Sequence, residues 1–107
     1  MSTYPSSTVA VIFVSERTLE DDEGYGEAAD AMVALAKQQP GYLGVDSARG
    51  DDRIGITVSY WADDTSAKAW RDNAEHAAIR DAGRGRWYRW YDLHVASVTR
   101  SYDWVKS

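Results

Sequence analysis

A chain of 107 residues, 44% apolar and 27% charged, has the balance of one globular domain and is too short for two. Its net charge of −5 argues against general binding to nucleic acid or to an anionic membrane surface. The absence of cysteine excludes disulfides and thiolate metal sites, and no apolar run approaches the roughly 20 residues of a membrane helix. Because the polar stretch Met1–Ser7 lacks the layout of a signal peptide, a soluble, cytoplasmic protein is expected. Five Trp and seven Tyr accompany a single Phe, and most of them lie after Tyr60. Side chains with an apolar body and a polar tip suit pocket walls and interfaces, so the C-terminal half is where function is expected.

The first element is Thr8 to Ser15, nearly continuous in apolar and β-branched residues, which reads as a strand buried on both faces. Glu20 to Glu23 then place acids at the start of a helical pattern. Tyr25, Ala28, Ala29, Met32, Leu35 and Ala36 recur at helical spacing from about Gly24 to Gln39. Gly24 and Gly26 weaken its first turn, and Pro40-Gly41 ends it. Tyr42 to Arg49 is the second strand, Gly50-Asp51-Asp52 a turn, and Arg53 to Trp61 an alternating third strand. That alternation sets Ile54, Ile56, Val58 and Tyr60 on one face and Trp61 on the other. Asp63 to Ser66 supply an N-cap for a second helix running to about Arg80. Gly83 and Gly85 break the pattern, and an aromatic stretch from Trp87 to Trp90 leads into a last strand over Tyr91 to Tyr102.

The order β-α-β-β-α-β is the split unit of an α+β, ferredoxin-like fold, with a core over about residues 8–104 of the single domain 1–107. Both helices of such a unit lie on one face of the sheet. The first strand presents Val9, Val11 and Phe13 to one side and Ala10, Ile12 and Val14 to the other. A sheet apolar on both faces, with helices for only one, predicts a homodimer.

On the second helix, positions projected at roughly 100° per residue group Ala67, Trp70, Ala74, Ala77 and Ala78 as the apolar face. Asn73 sits at its edge, and His76 lies farther round, about one turn on. The small alanines leave space above the sheet, so Trp70 and Asn73 either line a cavity with His76 at its mouth, or fill core and face solvent. An imidazole is the natural general base near neutral pH. The other histidine, His94, lies beside Asp92 on the last strand and reads equally as a packed structural residue. Two histidines without a ligand triad predict no tightly bound metal. In the run Arg84 to Tyr91, tryptophans and tyrosines alternate with arginine. There either Arg84 or Arg86 meets an anionic group of a ligand, or the run is cation–π packing and surface ion pairs. A single-strand nucleic-acid platform is the third reading, which the acidic surroundings oppose. No phosphate loop, dinucleotide fingerprint or Ser-His-Asp order is present, so no organic cofactor is expected.

The segments PGYLGVDSARG, SYW, AWRDNAEH and GRGRWYRWYDLHVASVTRSY fall in the order seen in small stand-alone members of the antibiotic biosynthesis monooxygenase family, and the chain resembles that family from about Val9 to Tyr102. The resemblance implies a dimeric α/β barrel with a cavity between helices and sheet in each subunit. From the family's oxygenases it implies cofactor-independent oxygenation of a small electron-rich aromatic molecule, an anthrone or quinol, in which substrate supplies the reducing power. His76 is then the base, Asn73, Tyr60 and Arg86 are hydrogen-bond donors, and Trp70, Trp61, Trp87 and Tyr91 line the substrate. The family's haem degraders pair an Asn on the first strand with a Trp on the second helix and an axial His ten residues later. Trp61 and Trp70 match their tryptophans in spacing, but the axial position is Arg80 and the first strand has no Asn. A non-catalytic small-molecule binder is the remaining alternative.

Overall fold

The computed structural model describes residues 3–80 and 86–107, and the backbone alone over 75–80. The elements run β1 (Val9–Arg17), α1 (Asp22–Ala36), β2 (Tyr42–Arg49), β3 (Ile54–Trp61), α2 (Asp64–Arg80) and β4 (Tyr88–Ser97). They form one antiparallel four-stranded sheet in the order β2-β3-β1-β4, which is the ferredoxin-like arrangement. Among the described residues no helix is long and apolar enough to cross a membrane.

Local chemistry explains where the elements begin and end. Asp21 caps α1 by accepting from the Gly24 amide, and a Cβ on residue 24 would collide with that carboxylate, so the glycine that weakens the turn also makes room for its cap. Asp63 caps α2 through the Ser66 amide at 2.7 Å. The β2–β3 hairpin closes with Arg53 at φ 67° and the Ile54 amide donating to Asp52.

The last strand departs from expectation at both ends. It starts at Tyr88 because β1 offers partners back to Arg17, with a bulge between Glu16 and Arg17 that fits the extra residue. It stops at Ser97 because β1 begins at Val9: after Val98 donates to the Thr8 carbonyl there is no further strand to pair with. Residues 98–107 run on without strand pairing, and Tyr102, Trp104 and Val105 are exposed.

The two faces of the sheet differ. On the helix side, Val9, Val11, Trp61, Ala67, Trp70 and Ala36 form the buried core, flanked by Met32, Tyr42, Ala74 and Leu93. Trp61 is fully buried, stacks on Trp70 with centroids 5.5 Å apart, and donates its indole N–H to Ser59 Oγ at 2.9 Å. On the other side Tyr4 stacks on Tyr60 at 4.4 Å, while Ile56 and Trp90 remain 47% and 39% exposed. The expectation of a strand buried on both faces therefore holds at Ala10 and only partly at Ile12 and Val14 within a single chain.

Candidate active site

Three zones follow one another along the helix-facing side of β1. Val9 lies in the indole core, Val11 and Phe13 floor a cavity, and Ser15 and Arg17 reach a cluster of phenols and guanidinium groups. The cavity, of about 170 Å³, lies between α1 and the sheet. α1 contributes Tyr25, Ala28, Ala29, Met32, Val33 and Ala36, so three alanines on its inner face leave the space that larger side chains would have filled. α2, by contrast, packs directly on β1, β3 and β4 and gives Trp70 and Ala74 to the cavity wall.

The floor carries a row of hydroxyls, because β2 and β3 place Ser47 opposite Thr57 and Val45 opposite Ser59. Ser47 and Thr57 share one hydrogen bond of 2.9 Å, which uses one of their two protons. Ser59 Oγ accepts from Trp61, which leaves its own O–H to donate elsewhere.

The polar end is built around Tyr25. Its ring lies under the Arg17 guanidinium at 3.7 Å, and its hydroxyl accepts from Arg49 Nη2 at 2.9 Å. The Tyr88 ring meets Tyr25 edge-on at 5.7 Å, and burial first, then the neighbouring Tyr25, push its pKa far above the ordinary phenol value. Both effects favour the protonated phenol. Arg17, buried, donates to the Trp87 and Glu20 carbonyls and pairs with Asp22 at 3.4 Å; desolvation lowers its pKa from the ordinary guanidinium value.

The residues singled out from sequence are distributed unevenly around this cavity. Trp70 and Trp87 line it. Tyr91 stacks on Phe13, one of its floor residues, at 5.3 Å. Trp61 lies behind Trp70 in the core. Tyr60 is on the opposite face, hydrogen-bonded to Asp46 at 3.2 Å, as strict alternation with Trp61 requires. Asn73 is exposed on α2, beside Ala74, and is not among the residues that line the cavity. Arg86 is exposed and pairs with Asp21 at 3.4 Å, which realises the surface ion-pair reading of that segment. The His76 side chain, the Arg80 side chain and Arg84 lie outside the described residues. His94 is exposed on β4, on the open face with Ile12 opposite.

Sequence reasoning missed Arg17, Arg49, Tyr25's hydroxyl, Tyr88 and the floor hydroxyls. The alternation of β2 and β3 carried a signal for the last of these: Ser47, Thr57 and Ser59 are polar residues on a face that must meet helices. Arg49 and Tyr25 come from distant elements, and no local pattern joins them.

Comparison with known proteins places this architecture. The family model for antibiotic biosynthesis monooxygenase matches residues 8–82. The chain belongs to this family. An uncharacterized member of the curated proteins, YqjZ of Bacillus subtilis (strain 168), is 50% identical over 91 residues, 85% of this chain and 79% of its own. Two solved structures share the family's fold with it. SnoaB, a cofactor-independent oxygenase from Streptomyces nogalater, superposes with a TM-score of 0.69 at 12% identity, covering 89% of this chain and 96% of SnoaB. PA3566 from Pseudomonas aeruginosa gives 0.67 at 18% identity, covering 87% and 95%.

Proposed function

We propose that this member of the family is a cofactor-independent monooxygenase that oxidises a small electron-rich aromatic molecule in the cavity between α1 and the sheet. The observation that carries the reading is the cavity itself: aromatic and small apolar walls over a floor of hydroxyls with protons to give. In the reaction, a base takes a proton from a CH₂ carbon of the substrate's keto tautomer. The resulting anion passes one electron to O₂, and the radical pair combines to a peroxide. The peroxide loses water: one oxygen atom stays as the new carbonyl, and the other leaves with both C–H hydrogens. The protein must hold the ring, remove the proton and stabilise the developing oxyanion.

In this reading Trp70 and Trp87 hold the ring, and Ser59 with the Ser47–Thr57 pair donates to the oxyanion. His76 of α2 is the base, an imidazole being the group that exchanges a proton near neutral pH. A cavity of about 170 Å³ encloses one aromatic ring. A one- or two-ring phenol or quinol therefore suits it better than three fused rings, and a porphyrin does not suit it at all.

Oxygen uptake with a panel of naphthols and quinols, without added metal, flavin or haem, tests this. Uptake above the spontaneous rate, reduced at least tenfold in both His76→Ala and Ser59→Ala, is expected for one interaction removed from the transition state in each. Saturable binding without uptake would overturn the enzymatic reading and leave a binding protein.

The reading includes a homodimer in which the open sheet face, with Ile56 and Trp90, meets a second copy. Light scattering after size exclusion should give twice the chain mass, and Ile56→Asp should halve it with the far-ultraviolet circular dichroism unchanged. A monomeric wild type would refute the dimer.

A further inference from the structure

We propose that Arg49, with the Tyr25–Tyr88 pair, forms a carboxylate subsite at the mouth of the cavity, so that the ligand is an aromatic acid. This deepens the oxygenase reading and rests on it for where the aromatic part sits. Arg17, Arg53, Arg71, Arg86 and Arg89 each have a carboxylate within ion-pair distance. Among the described residues Arg49 and Arg100 have none, and of the two Arg49 is the one hydrogen-bonded to a residue of the cavity lining. Its hydrogen bonds go to neutral oxygens: the Arg53 carbonyl at 2.7 Å, Tyr25 Oη at 2.9 Å and Ser15 Oγ at 3.4 Å. In a chain with 17 acidic and 12 basic side chains, a guanidinium left without an acid beside a cavity is a placement to be explained.

Its position is built rather than incidental. Arg49 follows Val45 and Ser47 on the inward face of β2, so it continues the line of the cavity floor. The guanidinium lies over Gly55, its partner on β3, where a Cβ would come within 2.5 Å of it. Any other residue at 55 would displace the charge, and a glycine inside a strand weakens the strand. The side chain is exposed and donates to Tyr25 of the cavity lining, so an acid can reach it from solvent.

The two phenols supply the second element. Between them Tyr25 and Tyr88 own two hydroxyl protons, and their rings meet edge-on at 5.7 Å in the cavity lining. Arg49 donates to Tyr25 and consumes neither. A phenolic O–H of this pair is therefore free to donate to an oxygen at the same place as a guanidinium that has no acid among the described residues. A carboxylate accepts from both at once, whereas an amide of the same shape brings no charge to meet Arg49.

Calorimetric titration with 2-naphthoate and 2-naphthamide under anaerobic conditions tests the subsite without turnover. Wild type should bind the acid roughly tenfold more tightly than the amide, the ratio expected for a charge-assisted hydrogen bond. Arg49→Gln should bring the ratio close to one while amide affinity is unchanged. Gly55→Ala, which keeps the charge but occupies its seat, should lower the ratio too, and Arg49→Lys should retain part of it. Equal affinities in wild type, no binding of either probe at millimolar concentration, or a preference that survives Arg49→Gln would each overturn the proposal. The two readings fail separately: uptake on neutral quinols without acid preference removes the subsite alone, and acid preference without uptake removes the oxygenase alone.

Discussion

The two ends of the space between sheet and helices are made from the same kinds of residue and behave oppositely. At the Val9 end, two indoles and a phenol close on one another: Trp61 stacks on Trp70 and meets Tyr42 edge-on at 5.8 Å. At the Arg17 end, aromatic side chains ring an open space, with Tyr25 edge-on to both Trp87 and Tyr88 at 6.1 and 5.7 Å. The difference lies in what faces the aromatics. The closed end has large side chains meeting across the gap, while Ala28 and Ala29 of α1 face the open end. An aromatic residue is therefore core or pocket wall according to its neighbour's size, and not according to its own chemistry.

The largest break in that comparison is expected at Trp61. Trp61→Ala removes a fully buried indole and should cost about 3–5 kcal/mol, a large part of a small domain's stability, read from urea unfolding. A loss under about 1 kcal/mol would mean that the closed end is not the core. At the open end, Ala29→Leu should fill the cavity with little change in thermal midpoint, yet weaken naphthol binding by more than tenfold. Unchanged binding would place the ligand elsewhere.

The smallest effect is electrostatic. The Trp87 indole N–H holds the Asp21 carboxyl below its ordinary 3.8, a hydrogen bond from Arg53 does the same for Asp22, and the Ser66 amide for Asp63. Each folded pKa lies below the unfolded one, so the unfolded chain takes up protons first. The stability these carboxylates contribute is present above pH 3.8 and is lost as pH falls through the folded values. Urea midpoints should stay flat from neutral pH down to the carboxylate range and then drop, with Asp22→Asn reducing the slope. A drop starting near pH 6 would assign acid sensitivity to histidine instead.

Legibility followed range along the chain. The element order, the Asp63 cap, the turn at Gly50 and the bounds of β2 were readable because each depends on residues a few positions apart. Trp70 and Trp87 border the cavity, although from spacing alone Trp70 read equally as core and Trp87 as surface packing. Tyr60 was misplaced: it was expected in the site with Trp61, yet alternation sets the two on opposite faces, and Tyr60 lies on the open one against Asp46. Leu35 marks a limit of periodicity. It sits on the apolar stripe by spacing but is 37% exposed, and Val33 takes the place over the cavity.

The last strand shows what periodicity cannot supply. Its alternation continues past Ser97, but a strand ends where its partner ends, and β1 begins at Val9. The sequence by itself determined the α+β unit and the two-faced apolar sheet, because these rest on local propensity and hydrophobic period. Only the tertiary structure decided that α1 stands over a cavity while α2 is seated on the sheet. It alone brought Arg49, Tyr25 and Tyr88 together from three elements, since charge and phenol meet there through strand register and a glycine's missing side chain.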